Sequence, residues 1–214
     1  MDNAGRQASP PFDRRRRRHL QTREEILDAA LEVMSEEGVA ALNLTEVARR
    51  VGLRQPSLYQ YFDSKTAVYD ALFSRGMRQH TAALRYVASA AGGGLAALRA
   101  AMIATVRFSV DNPVLSQLLF TRAVPGFTPS AEAYRPSLEA QELLQSELAT
   151  AVQRNELHPE ADSERGRGLL IALAAGVSSL QDANDPGAAF DDGRFTPLIE
   201  PALEMYASYF APDR

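Results

Sequence analysis

The chain has 214 residues, of which 45% are apolar and 23% are charged, and its net charge is −4. These values are typical of a globular protein with one large domain or two smaller ones. The absence of cysteine excludes disulfides and thiol chemistry. No apolar run approaches the roughly 18 residues of a membrane span, and polar residues, not the apolar stretch of a signal peptide, follow the arginines at 14–18. We therefore expect a cytoplasmic protein without a membrane partner.

Positive charge is concentrated towards the N-terminus. Residues 1–65 contain 11 Lys/Arg against 10 Asp/Glu, a net charge of +1, whereas residues 66–214 contain 12 against 17, a net charge of −5. Five of the N-terminal arginines, Arg14 to Arg18, are contiguous. Because nucleic-acid binding depends on where basic residues lie and not only on their total, the negative net charge does not exclude a DNA-binding N-terminal region.

The chain is predicted to begin with a flexible basic arm and one amphipathic helix. Residues 1–19 lack apolar periodicity and contain two consecutive prolines, which indicates an arm. Apolar residues four, seven and eight positions after Ile26 predict a helix over 22–37. Thr22 is its expected N-cap, and Gly38 its expected end.

The remaining residues are predicted to be helical as well, with no strand. Asn43 is expected to cap the second helix, and Pro56 suits the first turn of the third. Apolar spacing and breakers place the helices at about 44–51, 55–61, 64–88, 95–111, 115–119, 144–155, 161–182 and 196–210. A loop with several prolines, including Pro136, is expected before the helix at 144–155. The prediction is an all-α fold of about nine helices, with domains at 20–65 and 66–214 after the arm.

The two short helices around Gly52 form a predicted helix-turn-helix unit. Five apolar side chains would pack these helices together: Val47, Ala48, Val51, Leu53 and Leu58. The types left outside suit a DNA duplex. Arginine and glutamine make bidentate contacts with base edges in the major groove, while hydroxyl and ammonium groups bind phosphates.

Residues 22–73 resemble the N-terminal domain of TetR-family transcriptional regulators. The similarity lies in TREEILDAALEVMSEEG, LTEVARRVGL and PSLYQYFDSKTAVYDALF. The similarity covers about a quarter of the chain. Its most specific part is the pattern Tyr59-x-Tyr61-Phe62-x-x-Lys65 in the third segment. Tyr61 stands where many family members carry histidine, and it keeps a hydroxyl that can donate to a phosphate.

The resemblance implies a role for each matched position. Gln55, Pro56 and Ser57 would face the bases, whereas Tyr59, Tyr61 and Lys65 would contact phosphates. Thr45 and Arg54 would lie near the backbone or a base. The run Arg14 to Arg18 is either a solvated tail or a further contact with phosphates or the minor groove.

The resemblance also implies that residues 66–214 bind a small effector and form a homodimer. The last two helices would pair with their copies in a four-helix bundle, with these interface residues: Leu170, Leu173, Val177, Leu180, Leu198, Ala202, Met205 and Tyr209. A second, small-residue face of the same helix contains Ala172, Ala175, Gly176 and Ser179. The alternative is that both helices pack only within one subunit.

A mostly apolar or aromatic effector is expected, with Arg107 and Arg122 as possible partners of an anionic group. The expected lining of its site is apolar and aromatic: Met102, Val106, Leu119, Phe120, Phe127, Tyr134 and Leu143. Each of these residues has plain core packing as its alternative. His80, on the long helix, has a ligand contact as one of its possible roles.

No enzyme chemistry is indicated. The three histidines are far apart and have no local metal-ligand partners, and no phosphate loop or nucleophile-elbow serine occurs. We expect no cofactor, no metal and no catalytic residue. The expected function is a ligand-responsive repressor that leaves its DNA operator when the effector binds. The alternatives are an activator or ligand-independent regulator, or a helical small-molecule binding protein that does not read DNA.

Overall fold

The computed structural model describes residues 11–213, with side chains from Arg14 onward. This part of the chain is all-α, without a strand, as the sequence predicts. Three short 3-10 turns, at Val39–Ala41, Pro159–Asp162 and Thr196–Leu198, accompany the α-helices. Between residues 11 and 213 these helices number nine: α1 (Pro11–Glu37), α2 (Leu44–Arg50), α3 (Gln55–Leu58), α4 (Lys65–Ala91), α5 (Gly94–Asp111), α6 (Pro113–Phe120), α7 (Ala131–Gln153), α8 (Glu164–Asn184) and α9 (Ile199–Tyr209). None of them combines the length and the apolar character needed to cross a membrane.

The chain forms two compact units, the first ending at Ala71 and the second beginning at Leu72. The boundary lies inside α4, whereas the sequence suggested a division between 65 and 66, at the start of that helix. The first two turns of α4 therefore belong to the first unit, because Val68 and Tyr69 are buried there.

The first unit is built on the apolar face of α1. Ile26, Ala30 and Val33 are completely buried, as the predicted periodicity requires. This face packs against α2 and the turn at Val39–Ala41, and α2 packs in turn against α3. Burial of these apolar side chains fixes α2 and α3 on a stable base.

Helix α1 already includes Pro11, the first described residue, eleven residues before the predicted start. Residues 11–19 are therefore helical and not an arm, and Thr22 lies inside the helix, where it cannot be an N-cap. Proline is favoured in the first turn of a helix, and arginine has a high helix propensity, so nothing between Pro11 and Thr22 ends the helix. The rest of the predicted arm, residues 1–10, lies outside the described residues.

The second unit has its core around α5, which packs against α7, α8 and α9. Val106 on α5, Leu148 on α7 and Leu170 on α8 are at most 1% exposed and belong to one apolar cluster. Tyr206 on α9 closes this cluster, and burial raises the pKa of its hydroxyl to about 12. The long apolar runs of the C-terminal sequence are thus mainly core.

Helix α7 starts well before the predicted position and contains Pro136, which the sequence placed in a loop. Ser130 caps the helix, accepting a hydrogen bond from the Ala133 N–H at 3.2 Å. Pro136 removes one helical donor, but its ring is buried and its carbonyl accepts a hydrogen bond from Thr81 Oγ1 at 3.0 Å. Burial of this turn against α4 stabilises the helix across the proline.

Replacing Leu148 by alanine tests the core of the second unit. The side chain is completely buried, so Leu148→Ala is expected to lower the free energy of unfolding by about 2–5 kcal/mol. Leu138→Ala on the same helix is the matched control, because Leu138 is 47% exposed and is expected to cost less than about 0.5 kcal/mol. Urea denaturation of both variants measures the difference. Equal losses would contradict this description of α7.

Candidate nucleic-acid interface and ligand cavity

Helices α2 and α3 form a helix-turn-helix unit with the predicted local chemistry. Asn43 Oδ1 accepts a hydrogen bond from the Thr45 N–H at 3.0 Å and caps α2. Gly52 has a φ of +67°, which favours glycine, and the Leu53 N–H then bonds to the Ala48 carbonyl at 2.8 Å. The turn between the helices is therefore short and held by backbone hydrogen bonds.

The predicted recognition helix is shorter than its sequence pattern indicates. Helix α3 ends at Leu58, and a hydrogen-bonded turn continues through Tyr61, whose N–H bonds to the Leu58 carbonyl at 2.9 Å. Leu58 and Phe62 are buried and hold the two ends of this turn. Tyr59 and Gln60, between them, are exposed.

The predicted DNA-contacting residues lie on or near the outer side of this unit. Of the residues expected to pack the helices, three are buried (Val47, Ala48 and Leu58) and two are half-buried (Val51 and Leu53). Six of the eight candidate contacts are exposed: Thr45, Arg54, Gln55, Pro56, Tyr59 and Lys65. The other two, Ser57 and Tyr61, are half-buried. A polar surface thus covers an apolar base.

Two residues of α1 support this surface and escaped the sequence analysis. The Arg23 guanidinium donates to the Tyr61 carbonyl and lies over the Phe62 ring, 4.1 Å from its centroid. The His19 ring stacks on Tyr61 at 4.7 Å. These contacts join residues about forty positions apart, so no local pattern signals them. They hold the turn after α3 in place.

An ion-pair network fixes α2 on α1. Arg50 donates to Glu36 at 2.6 Å and to Glu46 at 2.9 Å. Hydrogen bonds from Arg49 and Arg50 lower the pKa of Glu46 to about 2. The bond from Arg50 likewise lowers the pKa of Glu36. Because Arg50 is half-buried and bound to both carboxylates, it orients the supporting helix of the unit.

The start of α4 is tied to the turn at Val39–Ala41. Lys65 Nζ donates to the Ala40 carbonyl at 3.0 Å, and the Tyr69 hydroxyl donates to the Val39 carbonyl at 2.7 Å. Burial raises the pKa of Tyr69. The Lys65 ammonium has two further protons with which to meet a phosphate.

The second unit contains a cavity of about 640 Å³, a size suited to a drug-like ligand. Four of the seven predicted lining residues line it: Met102, Leu119, Phe120 and Tyr134. The other three are placed elsewhere, because Val106 is completely buried and Phe127 and Leu143 pack against apolar clusters beside the cavity. Arg107 pairs with Asp191 at 2.9 Å and is not a lining residue either; nor is Arg122.

His80 lies in the wall of this cavity and is 5% exposed. Its ring packs against Phe108 and Phe120, with centroids 5.1 and 5.3 Å away. Its Nε2 lies 3.1 Å from Thr105 Oγ1. Burial lowers the pKa of His80 to about 4, so the imidazole is neutral at pH 7.

The outer face of α8 is the small-residue face and not the larger one predicted. Leu170 and Val177 are 1% and 7% exposed and belong to the core, so these two have no surface for a partner. Leu173 is half-buried against the same core. The remaining predicted interface residues are exposed or half-buried: Leu180, Leu198, Ala202, Met205 and Tyr209.

Sequence comparison assigns the helix-turn-helix region to a known family. The model of the tetR family of bacterial regulatory proteins matches residues 26–72, which include α2, α3 and the first turns of α4. Residues 26–72 thus match the tetR family of bacterial regulatory proteins. The structure search agrees on the fold: a TetR family transcription regulator from Marinobacter aquaeolei VT8 is 19% identical, with a TM-score of 0.69 over 92% of this chain and 100% of that one.

Two curated relatives show how far the similarity extends along the chain. The class D tetracycline repressor of Escherichia coli is 38% identical over 58 residues, and the match covers 27% of each protein. The HTH-type transcriptional regulator SrpR of Pseudomonas putida is 26% identical over 161 residues, 73% of each protein. The stronger identity is thus confined to about a quarter of the repressor's length.

The buried histidine predicts a specific pH dependence of stability. Burial lowers the pKa of His80 from the ordinary histidine value of about 6.5 to about 4 in the folded state, so the unfolded chain binds the proton first. Stability is therefore lost as the pH falls from 6.5 towards 4, by about 2–3 kcal/mol between pH 7 and pH 4.5. His80→Phe is expected to lack this loss.

Urea denaturation at pH 7 and pH 4.5 measures the effect, with His158→Gln as a control because His158 lies outside the cavity lining. The same loss in wild type and His80→Phe would contradict a neutral, buried His80.

Proposed function

We propose that this TetR-family protein is a dimeric DNA-binding transcriptional regulator that leaves its operator when a small, largely apolar molecule enters the cavity. The observation that carries the proposal is the exposed polar surface of α2, the Gly52 turn and α3, supported on a buried apolar base. That surface lies within the matched family region.

The chemistry of this surface fits a duplex. Arg54 and Gln55 precede and begin α3, and both side-chain types read base edges in the major groove. Tyr59 and Lys65 present a hydroxyl and an ammonium group to the solvent, which suits phosphate contacts. Arg14 to Arg18, exposed on α1, precede His19, which stacks on Tyr61. We propose that these arginines add phosphate contacts.

Dimerisation is supported by the apolar outer surface of α8, the turn at Thr196–Leu198 and α9. Leu180, Leu198, Met205 and Tyr209 are between 46% and 69% exposed, and exposed apolar patches of this kind mark interaction surfaces. A two-fold dimer would place two copies of α3 in successive major grooves, about 34–36 Å apart, on a near-palindromic operator.

The ligand response is supported by the cavity and by the continuity of α4. Four residues of α4 line the cavity: Phe73, Met77, His80 and Leu84. The same helix begins at the ties to Val39 and Ala40. A ligand that binds more tightly to the low-affinity shape would shift the population towards it. A filled core would have favoured a ligand-independent regulator instead. We propose that the DNA-bound protein represses transcription.

Fluorescence anisotropy with DNA flanking the coding region tests DNA binding. Wild type is expected to bind tightly with a steep salt dependence, and a Tyr59→Phe/Lys65→Ala variant at least about tenfold more weakly, because it loses phosphate contacts. Tyr86→Phe, at a tyrosine that is 77% exposed in the second unit, is the matched control. A variant with glutamine in place of all five arginines at 14–18 is expected to show a shallower dependence of DNA affinity on salt concentration.

Equally weak, sequence-independent binding by wild type and the double variant would instead favour a helical binding protein that does not read DNA. Deletion of the gene in its host is expected to raise transcription of the flanking genes. Lower transcription of these genes after the deletion would identify the protein as an activator.

The dimer surface is tested at Gly176, which is exposed on the small-residue face of α8. A Cβ placed there meets no atom within 4 Å, so Gly176→Arg is expected to leave the subunit folded but to charge and block the interface. Sedimentation velocity should find a dimeric wild type and a monomeric variant. Leu138→Arg, at an exposed position of α7, should remain dimeric. A dimeric Gly176→Arg protein would place the interface elsewhere.

A further inference from the structure

The cavity wall contains three buried polar atoms that have no hydrogen-bond partner. They are His80 Nδ1 on α4, Ser137 Oγ on α7 and Ser178 Oγ on α8, and all three residues line the cavity. Such atoms are costly to leave unpaired in a protein interior. The three residues lie on three separate helices and line one cavity.

The contacts of Thr105 favour one tautomer of His80. With the Thr105 hydroxyl proton directed to the Ala101 carbonyl at 3.0 Å, the hydroxyl oxygen accepts from His80 Nε2, 3.1 Å away. Because the buried imidazole is neutral and Nε2 carries its proton, Nδ1 has a free lone pair. The unpaired nitrogen of this cavity-lining residue is therefore an acceptor and not a donor.

The charged groups of the wall are acidic. Asp182 accepts a hydrogen bond from Gln117, and Asp185 accepts from Gln181 and from the Arg194 N–H. Among the described residues that line the cavity, none is lysine or arginine. A carboxylate or phosphate group in the cavity would thus meet two carboxylates without a compensating cation.

We propose that the effector is an uncharged, mainly apolar molecule with a hydroxyl or N–H group that donates a hydrogen bond to His80 Nδ1. Phe73, Met77, Met102, Leu119, Phe120 and Leu144 contact its apolar body, and Ser137 and Ser178 supply further hydroxyl partners. Acids are excluded. The inference rests on the proposed function, because it specifies the ligand of the same regulatory cavity.

Matched probe compounds test the chemical class. Two aromatic scaffolds, biphenyl and naphthalene, each carry a hydroxyl, a methoxy or a carboxylic acid group. The biphenyl series is 4-phenylphenol, 4-methoxybiphenyl and 4-phenylbenzoic acid, and the naphthalene series has the same three groups at position 2. Calorimetric titration of the full chain at pH 7 is expected to find the phenols bound about tenfold more tightly than the ethers, the difference that one hydrogen bond makes, and the acids weakest. Acids that bind as tightly as phenols, ethers that equal phenols, or no binding by any probe would overturn the proposal.

Replacement of the acceptor assigns the preference to His80. In His80→Phe the preference for phenol over ether is expected to fall to about one, while His158→Gln keeps it. If His80→Phe does not fold, ¹⁵N NMR spectra of the wild-type imidazole test the same assignment. Nε2 is expected to be protonated, and the Nδ1 signal is expected to shift when the phenol is added but not when the ether is added. A protonated Nδ1 would overturn the proposal.

Operator release is recorded with the same probes so that the two proposals fail separately. A phenol that binds through His80 but leaves DNA binding unchanged would refute the ligand response and support the assigned ligand class. An acid that binds and releases the operator would support the regulatory function and overturn the ligand class.

Discussion

The continuity of helix α4 is the constraint on which the proposed regulation depends. Its first turns are tied by Lys65 and Tyr69 to the turn at Val39–Ala41 in the DNA-binding unit. Its middle supplies the cavity wall, including His80. The proposed regulation requires that displacement of the middle of α4 by a ligand moves its beginning. The ties to the turn and part of the cavity wall lie on this one continuous helix.

The helix-turn-helix unit was predictable from sequence because local rules determine it. Apolar periodicity gave the buried face of α1, and the Asn43 cap and the Gly52 turn act within a few residues. The start of α1 was missed for a related reason. Five consecutive arginines have no apolar periodicity, yet arginine has a high helix propensity. Pro136 led to the prediction of a loop, but the residue lies inside α7. Its burial and the hydrogen bond from Thr81 stabilise the helix around it.

The cavity and the outer face of α8 were less predictable because they depend on contacts between distant segments. Helix α8 is apolar nearly all round, so its sequence does not tell which face the core takes. The structure turns Leu170 and Val177 inward and leaves Leu180 outside. Likewise, the hydrogen-bond partner of His80 Nε2 is Thr105, which lies 25 residues away in sequence. No local pattern contains that information.

The most direct test of coupling between cavity and DNA surface is a reciprocal binding measurement. The affinity for the operator is measured with and without a saturating cavity-binding phenol, and the affinity for the phenol with and without saturating operator. If the two sites are coupled, both affinities fall by the same factor, as thermodynamic linkage requires. A phenol that occupies the cavity while the operator affinity stays unchanged would contradict regulation through this cavity.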